Sequence, residues 1–481
     1  LAGVNALGNE LLVILPEMVL VAAGLVALVW AQFLKERAAG PVAGLAAAGA
    51  ALALLSLLLV PDGTGPVLFG AVKADGFSLF VRAVLYAGAL VVVLGGAGYV
   101  RKFQVPVGEF YCLLLLAIAG GGFMAQAANL LTFYVGLELL SLASYAMAGL
   151  RLDDPDSNEA ALKYFFNGAV SSAVLLFGLS WLFGLTGTLS LAELGPALAA
   201  SGAHPALLVM AVTLVIGGLG FKMAAVPFHL WVPDVYQGAP TPVTAFLSVG
   251  SKGAALAALL RLFYEGMGPL ADRWTVYFAI LAAVTMTWGN VSALLQRNIK
   301  RMMGYSSIAQ AGYLLVGLAA GSDHGVWAAV FYLLAYTFTN LGAFTVIMAV
   351  RSAGGGLDLD SFSGLARRSP FLAGALLVFF LSLIGFPFTA GFFGKLNLIG
   401  AAVNSGLVWL AVLTAINSVI SVGYYYGVVR NMYLREPGAD LPAVSLEGSA
   451  RLATAVALVM TLAVGILPQF VSWAQAASLL P

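Results

Sequence analysis

The sequence predicts an all-α polytopic membrane protein of about fourteen transmembrane helices, and three observations carry that reading. Of its 481 residues, 61% are hydrophobic and only 9% are charged, against about 25% charged in an ordinary soluble domain. The apolar residues fall in runs of about 18–25, each long enough to cross a hydrocarbon core of ~30 Å. The runs also lack the alternation of a barrel strand, and a helix satisfies its own backbone groups in lipid.

In chain order the runs occupy 11–30, 41–60, 77–100, 106–126, 128–150, 161–184, 205–226, 240–263, 273–295, 303–320, 325–350, 371–395, 406–433 and 450–475. The first is long for the core of a cleaved signal peptide and lacks basic residues ahead of it, so it reads as a spanning helix. The chain begins with Leu, and a few residues are expected upstream. Connections are short, and the longest polar one, 351–370, is Gly-rich and then basic, which leaves no soluble domain. Abundant Gly and Ala suit close helix packing in lipid. Glu17 and Glu109 fall near helix starts and are expected at an interface.

The count of fourteen is checked by the basic residues. With the N-terminus outside, fifteen of the 22 Lys and Arg, Lys300 among them, fall in inner connections. Four fall in outer ones, Lys73, Arg82, Arg261 and Arg273, and three lie within spans. A miscount by one helix would scramble this bias, so the positive-inside rule supports the count and puts both termini on the outer face.

At an offset of 168, Tyr145 echoes Tyr313, Leu150 echoes Leu318 and Tyr164 echoes Tyr332. A firmer echo is one of design. The seventh span has Lys222 just before Pro227, and the twelfth has Lys395 shortly after Gly385 and Pro387. Five helices separate them, and an odd shift inverts the second unit. Helices 4–8 and 9–13 are therefore expected to be inverted five-helix repeats, with helices 7 and 12 interrupted. The chain then divides into a three-helix segment 1–100, a first repeat 106–263, a second repeat 273–433 and a C-terminal helix 450–481.

The stretch 217–261 holds the candidate chemistry. Lys222 and Lys252 lie deep in apolar runs there, on either side of Pro227, Pro233, Pro240 and Pro242. A charge at mid-span costs about 2.5–3.5 kcal/mol on insertion scales and usually faces a bundle interior, a partner charge or a watery path. The plainer reading is a stem that reaches an interface, and it suits Lys395 best, which lies near the end of its run. Of 21 carboxylates only Glu138 is near mid-span. Paired across a helix contact, Glu138 would hold Lys222 protonated, and weakening the pair would release the proton; a static buried ion pair is the alternative.

His229, in VPFHLWVPD, is a candidate to pass protons between Lys222 and Lys252, since imidazole titrates near neutrality; a hydrogen-bonded structural His is the alternative. Lys163, in ALKYFFNG, is expected at the inner end of helix 6, where a surface lysine is the default. Nothing specific is expected of His204 and His324, in outer loops. Pro227 and Pro387 remove backbone donors and leave carbonyls that trapped water could serve, unless they are packing kinks only.

Several chemistries are not expected. Cys112 is the single cysteine, so neither an intrachain disulfide nor an iron–sulfur cluster held by this chain alone is available. Neither Lys252 nor Lys395 completes a phosphate-binding loop, GGLGF lies within a span, and no His/Cys cluster offers a metal site. Net charge is +1, which names no partner, and nucleic acid is not expected as one.

FKMAAVPFHLWVPDVYQGAPTPVTAFLSVGSK, at 221–252, closely resembles the signature that the antiporter-like membrane subunits of respiratory NADH–quinone oxidoreductase (complex I) carry across helices 7 and 8. ALLQRNIKRMMGYSSIAQAGY, at 293–313, resembles their loop and tenth helix. That family shares ancestry with subunits of multisubunit sodium/proton antiporters, and the resemblance covers essentially the whole chain. It is strongest to the N-type: SVGSKG surrounds Lys252, GFPFTAGFFGK ends at Lys395, and the chain stops after helix 14. The M-type typically has a glutamate in place of Lys395, and the L-type has a long extra C-terminal helix.

The resemblance implies that Glu138, Lys222, Lys252 and Lys395 are the family's proton-path residues on helices 5, 7, 8 and 12. It makes His229 and Lys163 further positions of the same axis, which would join half-channels open to opposite faces. It implies no cofactor in this chain, with NADH, FMN, iron–sulfur clusters and quinone held by other subunits. The implied partners are a neighbouring antiporter-like subunit, small membrane subunits, the lipid bilayer and, indirectly, a peripheral redox arm. The implied location is a bacterial inner membrane. The rival is a subunit that exchanges sodium for protons, and a structural spacer with static ion pairs is a third class.

Overall fold

Fourteen helical segments follow one another where the apolar runs lie, in a computed structural model that describes residues 10–202, 204–437 and 441–477. They are α1 (Glu10–Leu34), α2 (Ala39–Leu59), α3 (Gly76–Lys102), α4 (Val107–Gln126), α5 (Leu130–Ala148) and α6 (Pro155–Thr186). The seventh is split into α7a (Pro205–Met223) and α7b (Trp231–Gly238). Next come α8 (Thr241–Gly266), α9 (Ala271–Ala293), α10 (Ile299–Ala319) and α11 (Asp323–Ser352). The twelfth is split into α12a (Pro370–Ile384) and α12b (Ala390–Asn404), followed by α13 (Val408–Leu434) and α14 (Gly448–Ile466).

Among the described residues, twelve helices are long and apolar enough to cross a membrane. The other two expected spans miss that threshold for reasons that matter below. Lys300, Arg301, Ser306, Ser307 and Gln310 dilute the hydropathy of α10, and α12 is divided into two halves of 15 residues. The chain termini, expected on the outer face, lie outside the described residues.

Local chemistry sets the helix ends. Asp75 and Ser78 form a reciprocal capping box at the start of α3, and the side chains of Asn129, Asn298 and Ser322 accept first-turn amides of α5, α10 and α11. Burial then orders the bundle from centre to rim. The apolar window of α11 is 100% buried and that of α8 is 94% buried, whereas that of α6 is only 28% buried. α11 packs against α3, α10, α12a, α12b and α14, and α9 lies along α10. The lysine-bearing α8 is thereby shielded, while Phe166, Ile280 and Val419 leave α6, α9 and α13 with apolar outer faces suited to lipid.

The all-α class holds, with one short antiparallel hairpin, Thr64–Val67 and Val72–Ala74, in the Gly- and Pro-rich connection after α2. Several expectations about single residues need correction. Glu17 is not interfacial. It is fully buried, 3.5 Å from the Arg82 guanidinium, and accepts the Tyr86 hydroxyl at 2.5 Å. Arg82 and Arg261, assigned to outer connections, are buried inside α3 and α8, and Lys300, assigned to an inner one, is buried in α10. Each is paired or donates to carbonyls, which is what lets it leave water. Arg261 holds both carboxylate oxygens of Asp75, at 2.8 and 2.5 Å. Burial alone would raise the Asp75 carboxyl, but Arg261 and then Lys73 keep it well below the usual carboxylate range. Finally, His324 lies in the first turn of α11, stacked on Trp327, and not in a loop.

Candidate functional site

The seventh helix breaks where Pro227 withholds a backbone donor. α7a ends at Met223, Ala224 takes a left-handed conformation at φ 61°, and α7b resumes at Trp231. Two neighbours satisfy the exposed backbone: the Trp231 indole donates to the Phe221 carbonyl at 3.1 Å, and Val226 N–H donates to Thr285 Oγ1 of α9 at 3.0 Å. Lys222, in the last turn of α7a, is 4% exposed. Its ammonium lies 4.8 Å from the Tyr145 ring centre and 5.2 Å from that of Tyr164, and donates weakly to Tyr145 Oη at 3.5 Å. The two tyrosines meet edge to face at 4.7 Å. Gly168 makes room for them, since a Cβ there would fall 2.0 Å from Tyr145 Oη.

Glu138 does not touch Lys222. Among the described residues no ion pair joins them within 4 Å; the half-buried carboxylate accepts a hydrogen bond from Ser172, whose hydroxyl also meets Tyr134 at 3.0 Å. The expected direct pair is therefore replaced by separate aromatic and hydroxyl settings. The reason lies in α5, where Tyr145 stands two turns beyond Glu138 on the same face and its ring takes the place beside the lysine.

Lys252 is 1% exposed and follows a π-helical turn, Leu247–Ser251. It donates to the Ser307 carbonyl and, at 2.5 Å, to Ser307 Oγ. The same hydroxyl meets Tyr336 Oη at 3.0 Å and Tyr236 Oη at 3.2 Å. Ser307 thus gathers a lysine and two tyrosines from α7b, α8 and α11. One turn along α10, Gln310 accepts the Tyr332 hydroxyl and donates to the Leu383 carbonyl at 3.4 Å. Lys395 donates to that carbonyl at 2.8 Å and to Ile384 at 3.0 Å, beneath the Tyr313 ring at 4.3 Å. Ser307, Gln310 and Tyr313 recur every three residues, so one face of α10 runs from Lys252 to Lys395.

Lys395 does not sit near the end of its span. The helix restarts at Ala390 and continues to Asn404, which puts the lysine beside the break and leaves it 4% exposed. His229 lies in the α7 break, 4% exposed and 6.0 Å from the Trp288 ring, and among the described residues makes no hydrogen bond to Lys222 or Lys252. Lys163 is on α6, bonded to Glu159 and to Asp234, each at 2.6 Å. Arg301 reaches the other Asp234 oxygen at 2.6 Å, and Lys300 donates to the carbonyls of Gln237 and Ala239 at 2.9 and 2.5 Å.

Sequence reasoning missed Asp234, Ser307 and Gln310. Asp234 stood in view in the VPD triplet, and the SSIAQAGY pattern of α10 held the rest: small polar residues at helical spacing inside a run otherwise fit to span. Among the described residues, no group of three or more His, Cys, Asp or Glu could hold a metal ion.

Residues 127–421 match the family described as NADH:quinone oxidoreductase/Mrp antiporter, TM. A relative from Symbiobacterium thermophilum called NADH-quinone oxidoreductase subunit N 2 is 47% identical over 97% of this chain and 96% of its own length. Another, from Solibacter usitatus, called NADH-quinone oxidoreductase subunit N 1, is 39% identical over 95% of this chain and 94% of its own. A chain in the structure of respiratory complex I from Thermus thermophilus is 36% identical, with a TM-score of 0.80 over 96% of this chain and 100% of that one. A chain of the Mrp complex from Dietzia sp. is 23% identical with a TM-score of 0.83, covering 98% of this chain and 97% of that one, which is a likeness of fold.

Proposed function

We propose that this chain, which belongs to the NADH:quinone oxidoreductase/Mrp antiporter family and to its subunit N group, carries protons across a bacterial inner membrane as one subunit of an NADH–quinone oxidoreductase. The single observation that carries the reading is the placement of Lys222, Lys252 and Lys395. All three are buried, and among the described residues none has a carboxylate within ion-pair distance. Their partners are hydroxyls, carbonyls and ring faces. A structural ion pair needs its counter-charge; an ammonium held by neutral groups in a membrane interior is free to lose its proton.

In this reading Lys222 and Lys252 take up protons in turn and Lys395 closes the row, with Ser307 and Gln310 bridging the last two. Glu138, Lys163 and His229 are the accessory groups. Redox chemistry proceeds in other subunits, which hold NADH, FMN, iron–sulfur clusters and quinone, and this chain holds no redox centre. Its output arrives here as a change in the distance between Glu138 and the Tyr145–Lys222 contact. A change of about 1.4 kcal/mol in that interaction moves the lysine's proton affinity tenfold, so a small displacement resets occupancy.

The same reading places both termini on the outer side, on the excess of inner Lys and Arg; removing Lys300, Arg82 and Arg261 from the count leaves that excess in place. It also divides the chain into 1–100, the inverted repeats 106–263 and 273–433, and 450–481. The echo at offset 168 supports the repeats: Tyr145 and Tyr164 meet at 89° beside Lys222, and Tyr313 and Tyr332 meet at 83° with Lys395 over Tyr313.

The test is proton delivery into proteoliposomes by assembled complex carrying Lys222→Ala or Glu138→Gln. Sharp loss with assembly intact supports the proposal, and wild-type delivery by the double variant rejects it. The rival, exchange of sodium for protons, is separated by what co-purifies: flavin and iron–sulfur subunits favour the oxidoreductase, small antiporter subunits the exchanger.

A further inference from the structure

The break in α12 leaves carbonyls that, among the described residues, no backbone amide meets. In a continuous helix the Leu383 carbonyl would accept from residue 387, but that residue is Pro387 and has no N–H. The turn at Gly385, with φ 94°, serves the preceding carbonyls: Gly385 N–H reaches Leu381 and Ser382, and Phe386 N–H reaches Leu381. Leu383 and Ile384 are left without a backbone donor among the described residues, the Gln310 amide reaching Leu383 only at 3.4 Å, at a helix end where aligned peptide dipoles concentrate negative charge. The Lys395 ammonium fills that place at 2.8 and 3.0 Å. Tyr313 adds the negative face of its ring at 4.3 Å.

The α7 break has the same plan and a different occupant. Its Phe221 carbonyl is met by the neutral Trp231 indole, and Lys222 is left over ring faces with one long hydrogen bond at 3.5 Å. The residue 168 beyond Glu138 is Ser306, whose hydroxyl bonds Tyr425, so no carboxylate answers Lys395 in the corresponding place. Two carbonyls and a ring face, without a carboxylate, are the donor set of a weak site for a single positive charge.

We infer that the α12 break is a monovalent-cation site, built from the Leu383 and Ile384 carbonyls and the Tyr313 ring, with Lys395 as its tethered occupant. The ammonium keeps sodium out of the route at this point; cut the side chain back, and the site takes Na⁺. This deepens the proposed proton route and depends on it for the meaning of the site, though not for the chemistry of the cage.

The experiment uses the purified complex with Lys395→Ala, Lys395→Ser or Lys395→Met, washed into choline chloride and titrated with ²²Na⁺. The Ala and Ser variants should each bind one sodium ion per chain more than the wild type. The Met variant should not, because its uncharged stem fills the cage. Carrying both Ala and Ser keeps the measurement open if one of them fails to assemble. Equal sodium uptake by all four proteins overturns the site and leaves the transport role of Lys395 standing. Proton delivery by the same preparations decides that role separately: a Lys395→Ala complex that pumps at the wild-type rate sinks it, whatever the variant binds.

Discussion

Ser307→Ala removes one oxygen that three side chains share. In the wild type Ser307 Oγ accepts from Lys252 at 2.5 Å and meets Tyr336 and Tyr236 at 3.0 and 3.2 Å. The serine carbonyl stays in place, so Lys252 keeps one of its two partners. A hydrogen bond to a charged group contributes about 1.5–3 kcal/mol, and about 1.4 kcal/mol is tenfold in a protonation equilibrium. The protonated form of Lys252 should therefore be depopulated by roughly one to two orders of magnitude, toward the lower figure because the carbonyl contact survives. Tyr336 also loses its acceptor and Tyr236 a hydrogen-bond partner, which loosens the contact between α7b, α10 and α11. The assay is proton uptake into proteoliposomes set against NADH oxidation. Ser306→Ala is the control, since that hydroxyl bonds Tyr425 and reaches no lysine. Delivery should fall about tenfold or more in Ser307→Ala, and far less in Ser306→Ala. An assembled Ser307→Ala complex that pumps like the wild type would refute the bridging role and with it the continuity of the row between Lys252 and Lys395.

Three further outcomes follow from the geometry. Tyr145→Leu, which takes the ring away from Lys222, should lower proton delivery severalfold while Tyr145→Phe retains most of it, because the ring centre lies at 4.8 Å and the hydroxyl bond is long; equal loss in both would shift the weight to the hydroxyl. Gly391→Ala would put a Cβ 1.8 Å from the Ser382 carbonyl oxygen and force the halves of α12 apart, so the complex should lack this subunit on a native gel, and normal incorporation would contradict that packing. Asp75→Asn should lower thermal stability near neutral pH, and the gap to the wild type should begin to narrow as pH falls below about 4 and close only further into acid, as the depressed folded carboxyl takes up its proton. The folded carboxyl is held low by Arg261 and Lys73, so its contribution is complete above the unfolded carboxyl's range and disappears in acid. A gap that does not change with pH would show that charge is not the cause.

How far the sequence alone reached can be seen residue by residue. Long apolar runs and in-run prolines mark spans and breaks directly, because lipid imposes length and proline imposes a missing donor; the two interrupted helices lie where Pro227 and Pro387 predict them. The buried lysines were legible for the same reason: a charge inside an apolar run has few places to go. What the sequence did not carry was who stands next to whom across helices. Glu138 and Lys222 looked like a pair because they are opposite charges near the middle of their spans, yet Tyr145 holds the place beside the lysine. Arg82 and Glu17 looked peripheral because each is near a helix end, yet they find each other in the interior. Ser307 and Gln310 were overlooked because a serine or glutamine in a spanning helix is common, and only the facing helices reveal that Lys252, Tyr332 and the Leu383 carbonyl converge on them.

The most direct measurement is the number of protons delivered per NADH oxidised by assembled complex in which Lys222 and Lys252 are both methionine, a change that keeps stem volume and removes titration. Protons delivered should fall well below the wild-type figure, with every redox subunit still present. A wild-type ratio from that double variant would mean that protons cross elsewhere and that the buried lysines only hold the bundle together.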